Sequence, residues 1–140
     1  MTVEAIRQIC RAFPGVAEEI KWGDDLCFCV GGKMFAAMDL NPPHGIGFKC
    51  APEDFGALVE RPGIKPAPYL ARAMWVQEDV LGQALDRREF ERLLKSAYDL
   101  VVAKLPKSRR PGAVTRAART PRQRKQPAQR RSTARRRRSR

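Results

Sequence analysis

Apolar residues recur at helical spacing near both ends of residues 1–106 and at strand spacing between them. Over 3–13, Ile6, Ile9, Cys10 and Phe13 share one side, with Glu4, Arg7, Gln8 and Arg11 opposite, which predicts an amphipathic helix. Thr2 offers a cap at its start and Pro14-Gly15 stops it. Short runs at 17–22, 26–30, 34–39 and 45–49 predict strands, separated by Gly23-Asp24-Asp25, Gly31-Gly32 and Asn41-Pro42-Pro43-His44-Gly45. Gly31-Gly32 suits a tight hairpin, because both residues can take positive φ. Pro52-Glu53-Asp54 opens a short helix that runs to about residue 60, where Arg61-Pro62-Gly63 ends it. The stretch 66–69 predicts an irregular connector and 73–78 a strand. The strongest periodicity lies in 87–105, where Phe90, Leu93, Leu94, Ala97, Tyr98, Val101, Val102 and Leu105 form a stripe. Asp86 with Glu89 makes a capping-box start for this helix. The order of elements predicts an α+β domain of two layers, an antiparallel sheet with helices packed on one face.

Charge divides the chain in two. Residues 1–106 hold thirteen basic and fifteen acidic side chains, whereas 107–140 hold fifteen basic and no acidic ones. The second stretch is low in complexity, nearly free of large apolar residues, and ends in Arg135-Arg136-Arg137-Arg138 before Ser139-Arg140. It cannot bury enough surface to offset its chain entropy, so it is expected to be disordered when unbound. The body, residues 1–106, is large enough for its own core. No apolar run approaches the roughly 18–20 residues of a membrane span, and the first residues lack a signal-peptide core. The four cysteines, Cys10, Cys27, Cys29 and Cys50, are expected as reduced thiols in a cytoplasmic protein, nucleoid-associated if bacterial.

Such a cationic arm matches a polyanion. Each phosphate it neutralises releases condensed counterions, which gives salt-sensitive binding without sequence preference. Arginine adds bidentate phosphate contacts. The arm has no aromatic residue, so base stacking is not open to it. The residues expected to meet nucleic acid are Arg109, Arg110, Arg116, Arg119, Arg122, Arg124, Lys125, Arg130, Arg131, Arg135, Arg136, Arg137, Arg138 and Arg140. DNA is preferred to RNA as the partner, and an anionic membrane or an acidic protein is a poorer match. On the body, Lys33, Lys49, Lys65 and Arg72 are candidates for a basic surface.

Other chemistry is sparse. Cys27, Cys29, Cys50 and His44 count to a Cys₃His set, but no C-x₂-C knuckle is present, so no metal is expected and buried thiols are. Gly31-Gly32-Lys33 lacks the frame of a phosphate-binding loop and predicts a β-turn with an exposed lysine. No nucleophile, base and orienting group can be assembled, so neither enzymatic activity nor a cofactor is expected. Trp22, Trp75 and Tyr98 are expected in the core or along its rim. An alternative reading makes the body a protein-interaction or small-ligand module localised by its basic tail, with Trp22, Trp75 and the 62–68 connector rimming a groove.

The motifs, taken in order, are Phe13-Pro14-Gly15-Val16, Glu18-Glu19-x-x-Trp22-Gly23 and Phe28-x-Val30-Gly31-Gly32-Lys33-Met34-Phe35-Ala36. Phe48-Lys49-Cys50, Pro66-Ala67-Pro68-Tyr69-Leu70, Trp75-Val76 and Ser96-x-Tyr98-x-x-Val101 follow. Over about residues 3–106 this series resembles the MmcQ/YjbR family. The resemblance implies a CyaY-like α+β domain and double-stranded DNA binding. It also singles out Lys33 and Lys49, which match recurrent family lysines, as ligand contacts on the body. Met74 departs from the pattern, since relatives commonly carry histidine there. The arginine-rich tail lies outside the family pattern.

Overall fold

Alternation along the strands sorts side chains onto two faces of a sheet, and only one face is roofed by helices. The computed structural model describes residues 1–68 and 70–111. Met1–Lys104 forms one folded unit. Its elements are α1 (Val3–Arg11), β1 (Val16–Lys21), β2 (Asp25–Val30), β3 (Lys33–Asp39), β4 (Ile46–Lys49), α2 (Pro52–Val59), β5 (Ile64–Pro66), β6 (Trp75–Glu78) and α3 (Arg87–Lys104). The strands form one sheet in the order β1-β2-β3-β4-β6-β5, antiparallel throughout. This is the expected α+β architecture.

The roofed face carries the core. The register aligns Phe28, Ala36, Phe48 and Val76 across four strands, and Leu26, Met38 and Ile46 in the next row. All are buried, together with Ile6, Ile9 and Cys10 of α1 and Phe90, Leu93, Leu94 and Ala97 of α3. Each large apolar side chain removed from water in this way stabilises the fold by about 1.5–3 kcal/mol. Between the pairs Phe28–Ala36 and Cys29–Met34, β3 holds one extra residue, Phe35. The bulge lets the Phe35 ring meet Tyr98 of α3 edge-on, 5.7 Å between centroids, and Phe13 at 6.3 Å. Tyr98 also donates its hydroxyl proton to the Pro14 carbonyl. α2 is tied to α3 by Asp54 and Arg92, 3.7 Å apart.

Local signals behave as their chemistry requires. Thr2 Oγ1 accepts the Ala5 N–H at 3.1 Å. Asp86 and Glu89 cap α3 reciprocally, with Asp86 Oδ1 accepting the Glu89 N–H at 2.8 Å and Glu89 Oε1 the Asp86 N–H at 3.1 Å. Gly31 and Gly32 turn the β2–β3 hairpin with φ of 58° and 82°.

α1 ends at Arg11, two residues short of expectation, and three further differences have a local cause. β1 stops at Lys21, because Trp22 takes φ 52° and leaves the extended conformation. β5 occupies part of the stretch read as irregular: Pro66 pairs with Val76, and its missing N–H is harmless because β5 is an edge strand. β6 begins only at Trp75, since 71–73 form a 3₁₀ turn and Met74 follows at φ 62°.

All four cysteines are free and buried. Burial pushes the Cys10 thiol up to about 12 and that of Cys50 up to about 11. Among the described residues no helix is long and apolar enough to cross a membrane. The chain divides after Lys104. Among the described residues beyond it, Lys107–Arg109 form a 3₁₀ turn, and Arg110 Nε donates to the Leu105 carbonyl at 3.1 Å.

Candidate nucleic-acid interface

The antiparallel order places two charges of opposite sign at opposite ends of the sheet. β2 ends, β3 begins, β4 ends and β6 begins at one end. Lys33 opens β3 there and is exposed, directly after the diglycine turn. Lys49 closes β4 beside it and faces Trp75 across the ladder. Arg72 lies in the 3₁₀ turn leading into β6 at the same end. Lys33 and Lys49, sixteen positions apart in sequence, thus share one end of the molecule.

Lys49 is the more constrained of the two. Its Nζ donates to the Ala73 carbonyl at 2.7 Å. Partial burial pulls its pKa below the ordinary lysine value, and the neighbouring ammonium of Lys104 pulls in the same direction. An anion placed here would relieve both costs. Lys104, the last residue of α3, is a cation that sequence reasoning passed over. The signal for it was available only as topology, because nothing in the spacing of 49 and 104 places them together. Asp54, whose charge helps raise the Cys50 thiol, is engaged by Arg92. Lys65 does not join this group. It points from the open face of β5 and pairs with Asp79 at 3.3 Å, at the acidic end.

Arg109 and Arg110 are described, within and just after the Lys107–Arg109 turn. The remaining tail candidates, Arg116, Arg119, Arg122, Arg124, Lys125, Arg130, Arg131, Arg135, Arg136, Arg137, Arg138 and Arg140, lie outside the described residues. So does Tyr69 of the Pro66–Leu70 motif. Met74, at the position where relatives commonly carry histidine, accepts the Cys50 N–H through its carbonyl at 2.8 Å.

The YjbR family model matches residues 11–100, well over half of the chain. The chain belongs to the YjbR family. A crystal structure of the Deinococcus radiodurans protein DR2400, with a domain named DUF419, is similar to this YjbR-family chain at 27% identity and a TM-score of 0.69. The match covers 81% of this chain and 88% of that one. A Pseudomonas syringae protein of known structure shares the fold at 21% identity and a TM-score of 0.61, over 71% of this chain and 98% of that one. No curated protein sequence matches the chain.

The family motifs map onto structural duties. Phe13-Pro14-Gly15, Phe35 and Tyr98 build one aromatic cluster. Trp22-Gly23 and Gly31-Gly32 are turns at positive φ. Among the described residues no three His, Cys, Asp or Glu side chains group as metal ligands.

Proposed function

We propose that this YjbR-family protein is a non-enzymatic nucleic-acid-binding protein that holds double-stranded DNA without reading its sequence. One observation carries the reading: fifteen cations and no acid in residues 107–140, beside a body with fifteen acids and thirteen cations. Such an arm gains from counterion release wherever it meets a phosphate polymer. Its arginines add forked hydrogen bonds to phosphate oxygens. Lys33, Lys49 and Lys104 extend a smaller positive surface onto the body, where they position the duplex rather than specify it.

The test is a titration of fluorescent duplex DNA across salt, with the full chain and with a chain ending at Pro106. If about 6–10 phosphates are engaged, affinity of the full chain falls by roughly 10³–10⁵ between 50 and 200 mM salt. The shortened chain binds weakly at every salt concentration. Equal binding by both chains rejects the role of the arm. Absence of binding by the full chain at 50 mM rejects the function.

A further inference from the structure

The face of the sheet without helices holds a groove of about 420 Å³. Its floor is open because β4 gives the middle of this face only Gly47, with Lys49 beyond it at the end of the strand. Ile46 and Phe48 point into the core, and Gly47 with the preceding Gly45 floors the groove. A Cβ at Gly45 would lie 3.2 Å from the Asp79 carbonyl oxygen, and one at Gly47 3.8 Å from Trp75 Cε3. The Trp75 ring lies against that floor, only 6% exposed. Trp22 stands at the rim, 72% exposed and held at φ 52°.

The polar lining has one sign. Asp25, Asp39 and Asp79 line the groove. Lys65 neutralises Asp79, whereas the Asp39 carboxylate accepts only the Asn41 N–H, at 2.8 Å, among the described contacts. Burial and the adjacent Asp39 and Asp24 raise the pKa of Asp25, a sign of uncompensated negative charge. Phosphate is repelled by such a lining, so this site is separate from the proposed DNA contacts.

We propose that the groove binds an arginine-bearing segment of a basic partner protein. A guanidinium suits it on three counts. Its planar fork bonds carboxylates bidentately. Its face stacks on indole, and here a cation already finds one, with Lys21 Nζ 5.9 Å from the Trp22 ring centroid. Its methylene stem lies along apolar surface of the kind Leu70 and Pro68 supply. The volume exceeds what one side chain fills and lies within the range of small-ligand clefts.

The two groove tryptophans are the protein's only ones, so intrinsic fluorescence follows this site. The full chain, and a chain ending at Pro106 that lacks the arginine-rich arm, are titrated at low salt with a tryptophan-free peptide, acetyl-Gly-Arg-Gly-Arg-Gly-amide. Its citrulline counterpart, uncharged and nearly isosteric, and free spermidine serve as comparison arms. We expect a saturating change with the arginine peptide and at least tenfold weaker binding of the citrulline peptide. The double variant Asp25→Asn/Asp39→Asn should lose at least tenfold in affinity, and Gly47→Val should abolish the response. The asparagine pair is nearly isosteric, with Asp39 exposed and Asp25 half-buried, and keeps the test decisive if Gly47→Val fails to fold. No response of either chain to the arginine peptide, equal binding of the citrulline peptide, or an unaffected asparagine variant each overturns the proposal, and a response of the shortened chain alone overturns the assignment to a partner in favour of the chain's own arm. Spermidine saturating as tightly as the peptide overturns the assignment to a protein partner.

Discussion

Arg7 and Glu18 show what a single pair contributes and when. Arg7 Nε and Nη2 donate to the two Glu18 carboxylate oxygens at 2.9 and 3.0 Å, which fastens α1 to β1. The bond to Arg7 holds the Glu18 carboxyl below the ordinary carboxylate range, against the opposing effect of partial burial. Arg61 does the same for Glu89. The sign follows from linkage. A carboxyl with a lower pKa folded than unfolded lends its full stability above the unfolded value, about 4.3, and loses it as pH falls through the folded value. Thermal midpoints of the protein should therefore fall between about pH 5 and pH 3. Glu18→Gln should start lower at neutral pH and fall less steeply, with Glu89 still supplying part of the slope. Parallel curves for the two proteins would show that the pair has no such role. Glu18 was legible as a strand residue, but its partner was not, because the contact joins two elements whose relative placement only packing decides.

At the scale of elements, Glu78 matters most. Alternation along β6 puts it on the core face with Val76, opposite Ile46. It is 0% exposed and accepts three backbone N–H groups: Gly82 at 2.7 Å, Ala84 at 2.9 Å and Leu85 at 2.8 Å. One buried side chain thus shapes the whole connection from β6 to the cap of α3. Glu78→Ala would orphan three donors at about 1–3 kcal/mol each, so a loss of at least about 3 kcal/mol is expected in urea denaturation. Asp86→Ala, which removes only the α3 cap, should cost about 1 kcal/mol. Equal losses would mean that the loop finds other acceptors. The elements themselves were largely readable, because helix stripes, strand alternation and turn glycines each leave a local mark. β5 was hidden because Pro66-Ala67-Pro68 has the composition of a breaker, and its place at the sheet edge is what makes proline acceptable. Trp22 was hidden for the opposite reason: its residue type favours the strand, and the β1–β2 turn overrides it.

For the molecule as a whole, the division of charge along the sequence is repeated within the body. Asp25, Asp39 and Asp79 gather at one end of the sheet, and Lys33, Lys49 and Arg72 at the other. The first division was plain from composition. The second needed the strand order, which converts distant positions into neighbours, and it separated Lys65 from the lysines it had been grouped with. A quantitative expectation follows for the proposed DNA binding. Each phosphate contact contributes about 0.9 to the slope of log affinity against log salt. Lys33→Ala with Lys49→Ala should therefore reduce the slope by at most about 1.8, and the affinity for all duplex sequences alike. Lys33 should account for more of this than Lys49, whose ammonium is already bound to the Ala73 carbonyl. Replacing Arg135, Arg136, Arg137 and Arg138 with alanine should remove up to about 3.6 from the slope, since these four are free of any competing acid in sequence. Fluorescence anisotropy across salt separates the two variants. A larger change from the lysine pair than from the four arginines would move the main contact from the arm to the body, and would make the lysine end of the sheet the true binding surface.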